Sequence, residues 1–315
     1  MIIMENDSKI YLAGHAGLVG SAILKALKKH GYTNSITRTH AELDLKDAHT
    51  TDAFFESERP EYVILAAARA GGIRESITYP TEFLLENLVI QNNVIWAAHK
   101  NKVKKFLFIA SSCMYPRDCP QPMKEEYLMT GPLEPTNEGY AIAKIAGVKL
   151  CEYLSTQFGD NFISCIPCNI YGEGDYFDTL RGHVIGSLMV RMHEAKTTNA
   201  KTVGIWGTGN ARREFLFDED LAEAIIHLLE RYDTKEFLNV GSGVDISIKE
   251  LSELMKKIVG YEGDLVFDTS KPDGMPQKLL DVTKIEAHGW KHAVQLEEGL
   301  KRSYAAYLKK LSATN

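Results

Sequence analysis

Tyr140 and Lys144 stand four residues apart in Glu138-Gly139-Tyr140-Ala141-Ile142-Ala143-Lys144, in a stretch that reads as helix. Residues i and i+4 share one helix face about a turn apart, so a phenol hydroxyl and an ammonium are held side by side. A neighbouring ammonium favours phenolate and lowers the phenol from its ordinary value of about 10 towards working pH. Such a phenol can donate a proton to a carbonyl that is being reduced. The pair alone carries little weight, because tyrosine and lysine are common on amphipathic helices. Two further motifs, in order along the chain, add to it.

The first is Gly14-His15-Ala16-Gly17-Leu18-Val19-Gly20, between a buried run, Ile10-Tyr11-Leu12-Ala13, and a helical run from Ser21 to Lys29. Gly14, Gly17 and Gly20 permit a tight turn and close backbone approach to a pyrophosphate. Leu18 and Val19 open the helix whose positive end faces it. The second is Phe106-Leu107-Phe108-Ile109-Ala110-Ser111-Ser112-Cys113-Met114-Tyr115-Pro116. Here an apolar strand runs into small hydroxyl residues, and open α/β sheets place their ligands at strand carboxyl ends. Ser111 or Ser112 can hydrogen-bond a substrate oxygen beside the phenol. Read alone, each motif has a bland alternative: a turn that binds nothing, or a serine-rich strand cap.

These motifs need a scaffold, and the chain supplies the pattern for one. Strands are expected at Lys9–Ala13, Ser35–Thr37, Tyr62–Ala66, Lys105–Ile109 and Phe162–Ile166. Helices are expected at Leu18–His30, Asp47–Glu58, Pro80–Lys100 and Gly139–Phe158. Alternating strands and helices predict an α/β fold, a Rossmann-type doubly wound parallel sheet. Asp44 and Leu45 follow the second strand, where an acidic side chain can meet an adenine or ribose. Ala67 ends the third main strand among small residues that admit a dinucleotide. After Gly172 the texture changes to a loop over Glu173–Gly182, a helix over Val184–Ala195, a strand and turn at Val203–Gly209, and a helix capped by Asp218. A strand at Phe237–Val240, a helix at Ile248–Val259 and a loop at Thr269–Lys278 follow. The expected division is a dinucleotide-binding domain of residues 1–172 and 210–243, and a smaller, discontinuous α/β substrate domain of residues 173–209 and 244–315.

The 315 residues carry 44% hydrophobic and 25% charged side chains and a net charge of −6. That balance suits a globular protein and disfavours a nucleic-acid surface. No apolar run is long enough to span a bilayer, and the first residues do not read as a signal peptide, so a cytoplasmic location is expected. The five cysteines are Cys113, Cys119, Cys151, Cys165 and Cys168. They offer one CxxC spacing and nothing that completes a zinc set, so no metal is expected. Four read as buried thiols; Cys113 differs because it lies two residues after Ser111.

With these motifs in order, the chain resembles the extended short-chain dehydrogenase/reductases, and within them the GDP-L-fucose synthase family. The likeness runs from about Lys9 onward. Its marks include Ala68-Arg69-Ala70-Gly71-Gly72-Ile73, Leu133-Glu134-Pro135-Thr136-Asn137-Glu138, Gly182-His183-Val184-Ile185, Arg213-Glu214-Phe215-Leu216 and Ser270-Lys271-Pro272-Asp273-Gly274. The resemblance implies reduction of a GDP-linked 4-keto sugar, with epimerisation at C3 and C5. It implies a Ser111, Tyr140 and Lys144 reductase set, Cys113 and His183 as base and acid, and sugar contacts from Ser112, Asn169, Arg191, Trp206, Arg213 and Lys278. It places further cofactor contacts at Pro167, Asn169, Ile170 and His183, and implies a homodimer paired through the Pro80–Lys100 and Gly139–Phe158 helices. A thiolate and an imidazole both titrate near neutrality and suit proton transfer beside a ketone.

Departures from the family pattern bear on specificity. Ala16 and His40 stand where arginines would favour a 2′-phosphate, leaving Arg38 to read it; NADP(H) is expected, with NAD(H) as the alternative. The loop Asp175-Tyr176-Phe177-Asp178-Thr179-Leu180-Arg181 also differs, which leaves the sugar open between a hexose and a heptose. Two other readings stay open: a C4 reductase served by a separate epimerase, and a non-catalytic NAD(P)-sensing scaffold.

Overall fold

A computed structural model describes residues 4–179, 182–271 and 273–314. Leu180, Arg181 and Pro272, which fall in two of the segments noted above, lie outside the described residues. The chain begins β1 (Ile10–Ala13), α1 (Leu18–Lys29), β2 (Ser35–Ile36), α2 (Ala48–Glu58), β3 (Tyr62–Leu65), α3 (Ile73–Thr78), α4 (Pro80–Lys100), β4 (Lys105–Ile109), α5 (Glu138–Phe158) and β5 (Phe162–Pro167). It continues β6 (Asn169–Tyr171), α6 (Val184–Thr197), β7 (Thr202–Trp206), β8 (Arg212–Phe217), α7 (Asp218–Arg231), β9 (Leu238–Val240) and β10 (Asp245–Ser247). It ends with α8 (Ile248–Val259), β11 (Asp264–Asp268), β12 (Gln277–Lys278), α9 (Thr283–Ala287) and α10 (Leu296–Thr314).

Six strands form the expected parallel sheet in the order β2-β1-β3-β4-β5-β9. β1, β3, β4 and β5 are buried along their whole length. Continuous apolar runs such as Tyr62-Val63-Ile64-Leu65 fit there because helices cover both faces. α1 packs with α7, and α4 with α5. The direction of winding reverses between β1 and β3, which opens a crevice at their carboxyl ends.

α5 lies unusually close to its neighbours for a reason written in its sequence. Gly139, Ala143 and Gly147 recur every four residues, so they line one face. A methyl at Gly147 would meet the Phe108 ring at 2.5 Å, and one at Gly139 would meet the Pro80 carbonyl at 2.9 Å. Gln91 on α4 donates to the Ala143 carbonyl at 2.6 Å. This seat fixes the height of Tyr140 and Lys144 above β4.

A second apolar core, built around Ile185, Met189, Val203, Phe215, Leu251 and Tyr307, joins α6, β7, β8, α8 and α10. Its strands form two smaller sheets: β8 with β6, β10 and β12, and β7 with β11. Three local expectations change. Asp218 is the first residue of α7 rather than its cap, with Phe217 at the cap position; its carboxylate accepts from Glu219 N at 2.9 Å. The loop expected through Lys278 ends in β12, and Asn169–Tyr171 forms β6; both pair with β8, and strands of two or three residues have too short a pattern to read. No helix among the described residues is long and apolar enough to cross a membrane.

Candidate active site

The glycine loop is shaped by contacts that only glycine permits. Gly14 sits at φ +88°, and a Cβ there would lie 2.6 Å from the Ala67 nitrogen, across the crevice between β1 and β3. A Cβ on Gly20 would lie 2.0 Å from the Gly14 carbonyl. Gly17 occupies the cap position of α1, and among the described residues no side chain caps the helix's first amides. His15 Nδ1 is buried without a hydrogen-bond partner among the described residues. A strand end, a tight turn and free amides at a positive helix end fit the pyrophosphate of a dinucleotide. At the outer end of this crevice Arg38 bonds the Glu58 carboxylate at 2.5 Å and the Thr37 carbonyl at 2.9 Å, so its charge is already partly compensated. Asp44 accepts from Lys46 N at 3.0 Å, and the Leu45 carbonyl accepts from Asn93.

Ser111 stands two residues past the end of β4, and its hydroxyl meets the Tyr140 phenol on α5. Its hydroxyl accepts from Cys113 N at 3.3 Å, turning the chain into a short 3-10 turn over Ser112–Met114, and Ser112 is buried within that turn. Lys144 is buried, donates to the Ile109 carbonyl at 2.9 Å and lies 4.7 Å from the centre of the Phe108 ring. Burial lowers its ammonium to about 8. One expectation is corrected here. Lys144 stands over the face of the Tyr140 ring, 5.7 Å from its centre, and does not lower the phenol. Burial, the largest influence, pushes the phenol above its ordinary range and Cys113 pushes the same way; the Ser111 hydroxyl pulls it down. A hydrogen bond from serine, rather than charge from lysine, is the favourable influence on this phenol.

Cys113, half-buried, follows in the same turn beside the Ser111 hydroxyl. Asn137 Nδ2 donates to its sulfur at 3.2 Å and Lys278 Nζ at 3.4 Å. Burial pushes the thiol up. Lys278, the Ser111 hydroxyl and Arg213 together outweigh burial and leave it below its ordinary range. His183 occupies the cap position of α6 without capping it. His183 is exposed, yet the protein packed around its ring lowers its imidazole below the ordinary value by desolvation, with Lys278 adding to the effect. Arg213 and Lys278 are register partners on β8 and β12, so both approach the sulfur from one side.

Asn137 stands out beyond the expected site residues. Asparagine at a helix cap position normally accepts from the first turn. Here, at the start of α5, it makes no such bond and faces Cys113 instead. Its Oδ1 is buried without a partner among the described residues. The sequence carried a signal for it only as part of Glu134-Pro135-Thr136-Asn137.

The outer residues are joined by Asp273. It accepts from Thr208 N and Thr208 Oγ1 at 2.8 Å each, which ties down the turn after Trp206. Its backbone carbonyl accepts from Arg213 Nη2 at 3.1 Å. Trp206 is exposed, with the Lys271 ammonium 5.8 Å from its ring centre. A cavity of about 500 Å³ is lined by Arg117, Glu134, Thr136, Asn210, Asp273 and Pro276, within the size range of small-molecule sites. Two expected sugar contacts are engaged with the protein instead: Asn169 Nδ2 donates to the Glu214 carbonyl at 2.7 Å, and Arg191 donates to the Gly204 carbonyl. Pro167 and Ile170 lie at the end of β5 and in β6, flanking Asn169.

A doubly wound sheet, a glycine turn at its switch point and a Ser–Tyr–Lys set define a dinucleotide-dependent short-chain dehydrogenase/reductase. The model of the NAD dependent epimerase/dehydratase family matches residues 10–241. A GDP-L-fucose synthase of Escherichia coli K12 is 48% identical over 312 residues, covering 96% of this chain and 97% of that protein. The chain therefore belongs to this family and, within it, to the GDP-L-fucose synthase group. Two solved structures from Campylobacter jejuni are also similar. A GDP-6-OMe-4-keto-L-xylo-heptose reductase gives a TM-score of 0.95 at 37% identity, covering 98% of this chain and 100% of that one. The GDP-mannoheptose C4 reductase MlghC, with NADP bound, gives 0.89 at 40% identity, covering 97% and 99%.

Proposed function

We propose that this protein reduces a GDP-linked 4-keto sugar at C4 with NADPH and epimerises the same sugar at C3 and C5. One observation carries the reading. The Ser111 hydroxyl neighbours both Tyr140 and Cys113, and Lys278 Nζ lies 3.4 Å from the Cys113 sulfur. The family supplies the substrate class: its relatives carry names of GDP-sugar enzymes.

When bound, NADPH supplies the hydride for C4. The Gly14–Gly20 turn and the first amides of α1 would hold its pyrophosphate, and Arg38 the 2′-phosphate; NAD(H), which lacks that phosphate, is the alternative. In the epimerase half, Cys113 takes a proton from the carbon beside the ketone. The electron pair becomes an enolate at O4, and Ser111 and Tyr140 stabilise the oxygen. His183 returns a proton to the opposite face. In the reductase half, Tyr140 gives its proton to the developing C4 alkoxide, Ser111 orients the oxygen, and Lys144 keeps the strand end and the phenol in register. Arg213 suits the diphosphate, Trp206 the base, and Asn137 Oδ1 can accept from a sugar hydroxyl.

We extend the reading to the whole chain. Residues 1–172 and 210–243 carry the cofactor, and residues 173–209 and 244–315 the nucleotide sugar. Two copies pair through α4 and α5. Five free cysteines fit the reducing cytoplasm.

Incubating the enzyme with a 4-keto GDP-sugar in deuterated water, without NADPH, tests the epimerase half. Deuterium is expected at C3 and C5 and is expected to vanish in Cys113→Ser. A second reading, reduction alone after a separate epimerase, is favoured by the two GDP-heptose reductases among the solved relatives. No deuterium uptake by the wild-type enzyme, alongside NADPH consumption with the epimerised sugar, selects it.

A further inference from the structure

We propose that Lys278 is a positioning residue for proton transfer, keeping Cys113 in the thiolate form in which it meets the sugar. The proposal rests on the reading of Cys113 as the ring-proton base.

Lys278 is 8% exposed, and its Nζ lies 3.4 Å from Cys113 Sγ. Among the described residues no carboxylate forms a salt bridge with it. A buried ammonium is costly unless an anion or strong acceptors surround it. The thiolate of Cys113 is the anion that the fold places within reach. Asn137 Nδ2, at 3.2 Å from the same sulfur, supplies a second donor aimed at negative charge. Arg213, the register partner of Lys278, adds positive charge from the same side. The neighbouring carboxylates are engaged elsewhere: Asp273 holds the Thr208 turn, and Glu134 faces Thr136 and Arg117.

The lysine is also fixed in place. β12 is only two residues long, yet its surroundings are bonded on both sides. Gln277 donates to Asp245 at 2.6 Å, Leu279 N donates to Gln121 at 2.9 Å, and Leu280 N donates to the buried Glu214 at 2.8 Å. That Glu214 carboxylate also accepts from Gly243 N at 2.7 Å, locking the adjoining turn. An ammonium meant only to follow a flexible diphosphate has no need of such a clamp. One meant to hold a sulfur's charge needs its distance kept constant. The thiol lies below its ordinary range despite burial, which agrees with this geometry.

The test uses the full-length enzyme without substrate. Iodoacetamide alkylation of Cys113 is followed by site-resolved mass spectrometry between pH 5 and 10, with half-buried Cys119 as internal reference. Lys278→Met is expected to raise the midpoint of Cys113 alkylation by about one pH unit or more, slowing the reaction about tenfold near neutrality. Lys278→Arg is expected to restore the midpoint, and Cys119 to be unmoved in both. Lys278→Gln serves where the methionine variant does not fold. An unchanged Cys113 midpoint in a folded methionine or glutamine variant overturns the proposal. Deuterium uptake by the wild-type enzyme stands apart from this result: its absence removes the role of Cys113 as base while leaving the alkylation result intact.

Discussion

At the scale of single residues, burial moves the cation and the phenol of the site in opposite directions. Lys144 is buried and lowered to about 8, whereas Tyr140 is pushed above its ordinary range. The sign follows directly. Burial disfavours the ammonium, so Lys144 loses its proton as pH rises through about 8, well before the phenol loses its own. The kcat/KM for reduction of an epimerised 4-keto GDP-sugar is therefore expected to fall on the alkaline side with a midpoint near 8. A pH profile that stays flat to 10 would show that the ammonium is not needed. Tyr140→Phe is expected to lower kcat for reduction by 10² or more, the usual span of a lost general acid. In the same variant, deuterium uptake at C3 and C5 is expected to persist at a reduced rate, because Cys113 and His183 remain. A Tyr140→Phe enzyme that reduces at the wild-type rate would remove the phenol from the mechanism.

At the scale of elements, the segment after β6 carries an unusual acid. Asp175 is buried; one oxygen accepts from Tyr176 N at 2.8 Å, while the other has no partner among the described residues. Burial raises its carboxyl to about 7. The folded pKa lies above the unfolded value, so the folded state holds the proton longer. The stability this group contributes is present at low pH and is lost as pH rises from about 4 to about 7. Asp175→Asn is expected to leave Tm unchanged at pH 4 and to raise it at pH 8, by an amount reflecting about 4 kcal/mol. Equal Tm shifts at both pH values would refute the account. The same segment shows what a sequence can and cannot tell. The long elements were legible because their periods ran over many residues: Pro80–Lys100 and Ile248–Val259 occupy the expected bounds. The glycine turn was legible because its neighbours, β1 and α1, were. β6 and β12 were not, because two or three residues carry no period and their pairing with β8 is non-local. For the same reason Lys278 read as a loop residue, and its approach to Cys113 across 165 positions had no local signal. The influence of Lys144 on Tyr140 was misjudged because spacing gives proximity on a helix face but not burial, and burial dominates here.

At the scale of the whole molecule, the packing of α4 on α5 leaves large apolar side chains exposed on the outer surface of both helices. Leu85 and Trp96 on α4 are 57% and 47% exposed, and Ile142 and Tyr153 on α5 are 42% and 61% exposed. Their inner faces, by contrast, are buried against each other and the sheet. Scattered apolar residues on a surface need no explanation, but large ones on two adjacent helices are the residues that the proposed pairing through α4 and α5 would bury. A two-fold axis would set each pair against its own copy, so every residue counts twice. Full burial of such a side chain contributes roughly 1.5–3 kcal/mol. Leu85→Glu with Trp96→Glu would place four unpaired carboxylates in that interface, two from each copy. Sedimentation equilibrium is expected to give about twice 35.2 kDa for the wild-type chain and the monomer mass for the double variant. Because Tyr140 and Lys144 sit on the inner side of α5, the variant's loss of activity is expected to follow its dissociation across a concentration series. A wild-type chain that is monomeric at micromolar concentration would leave these helices without a partner and set aside the paired arrangement.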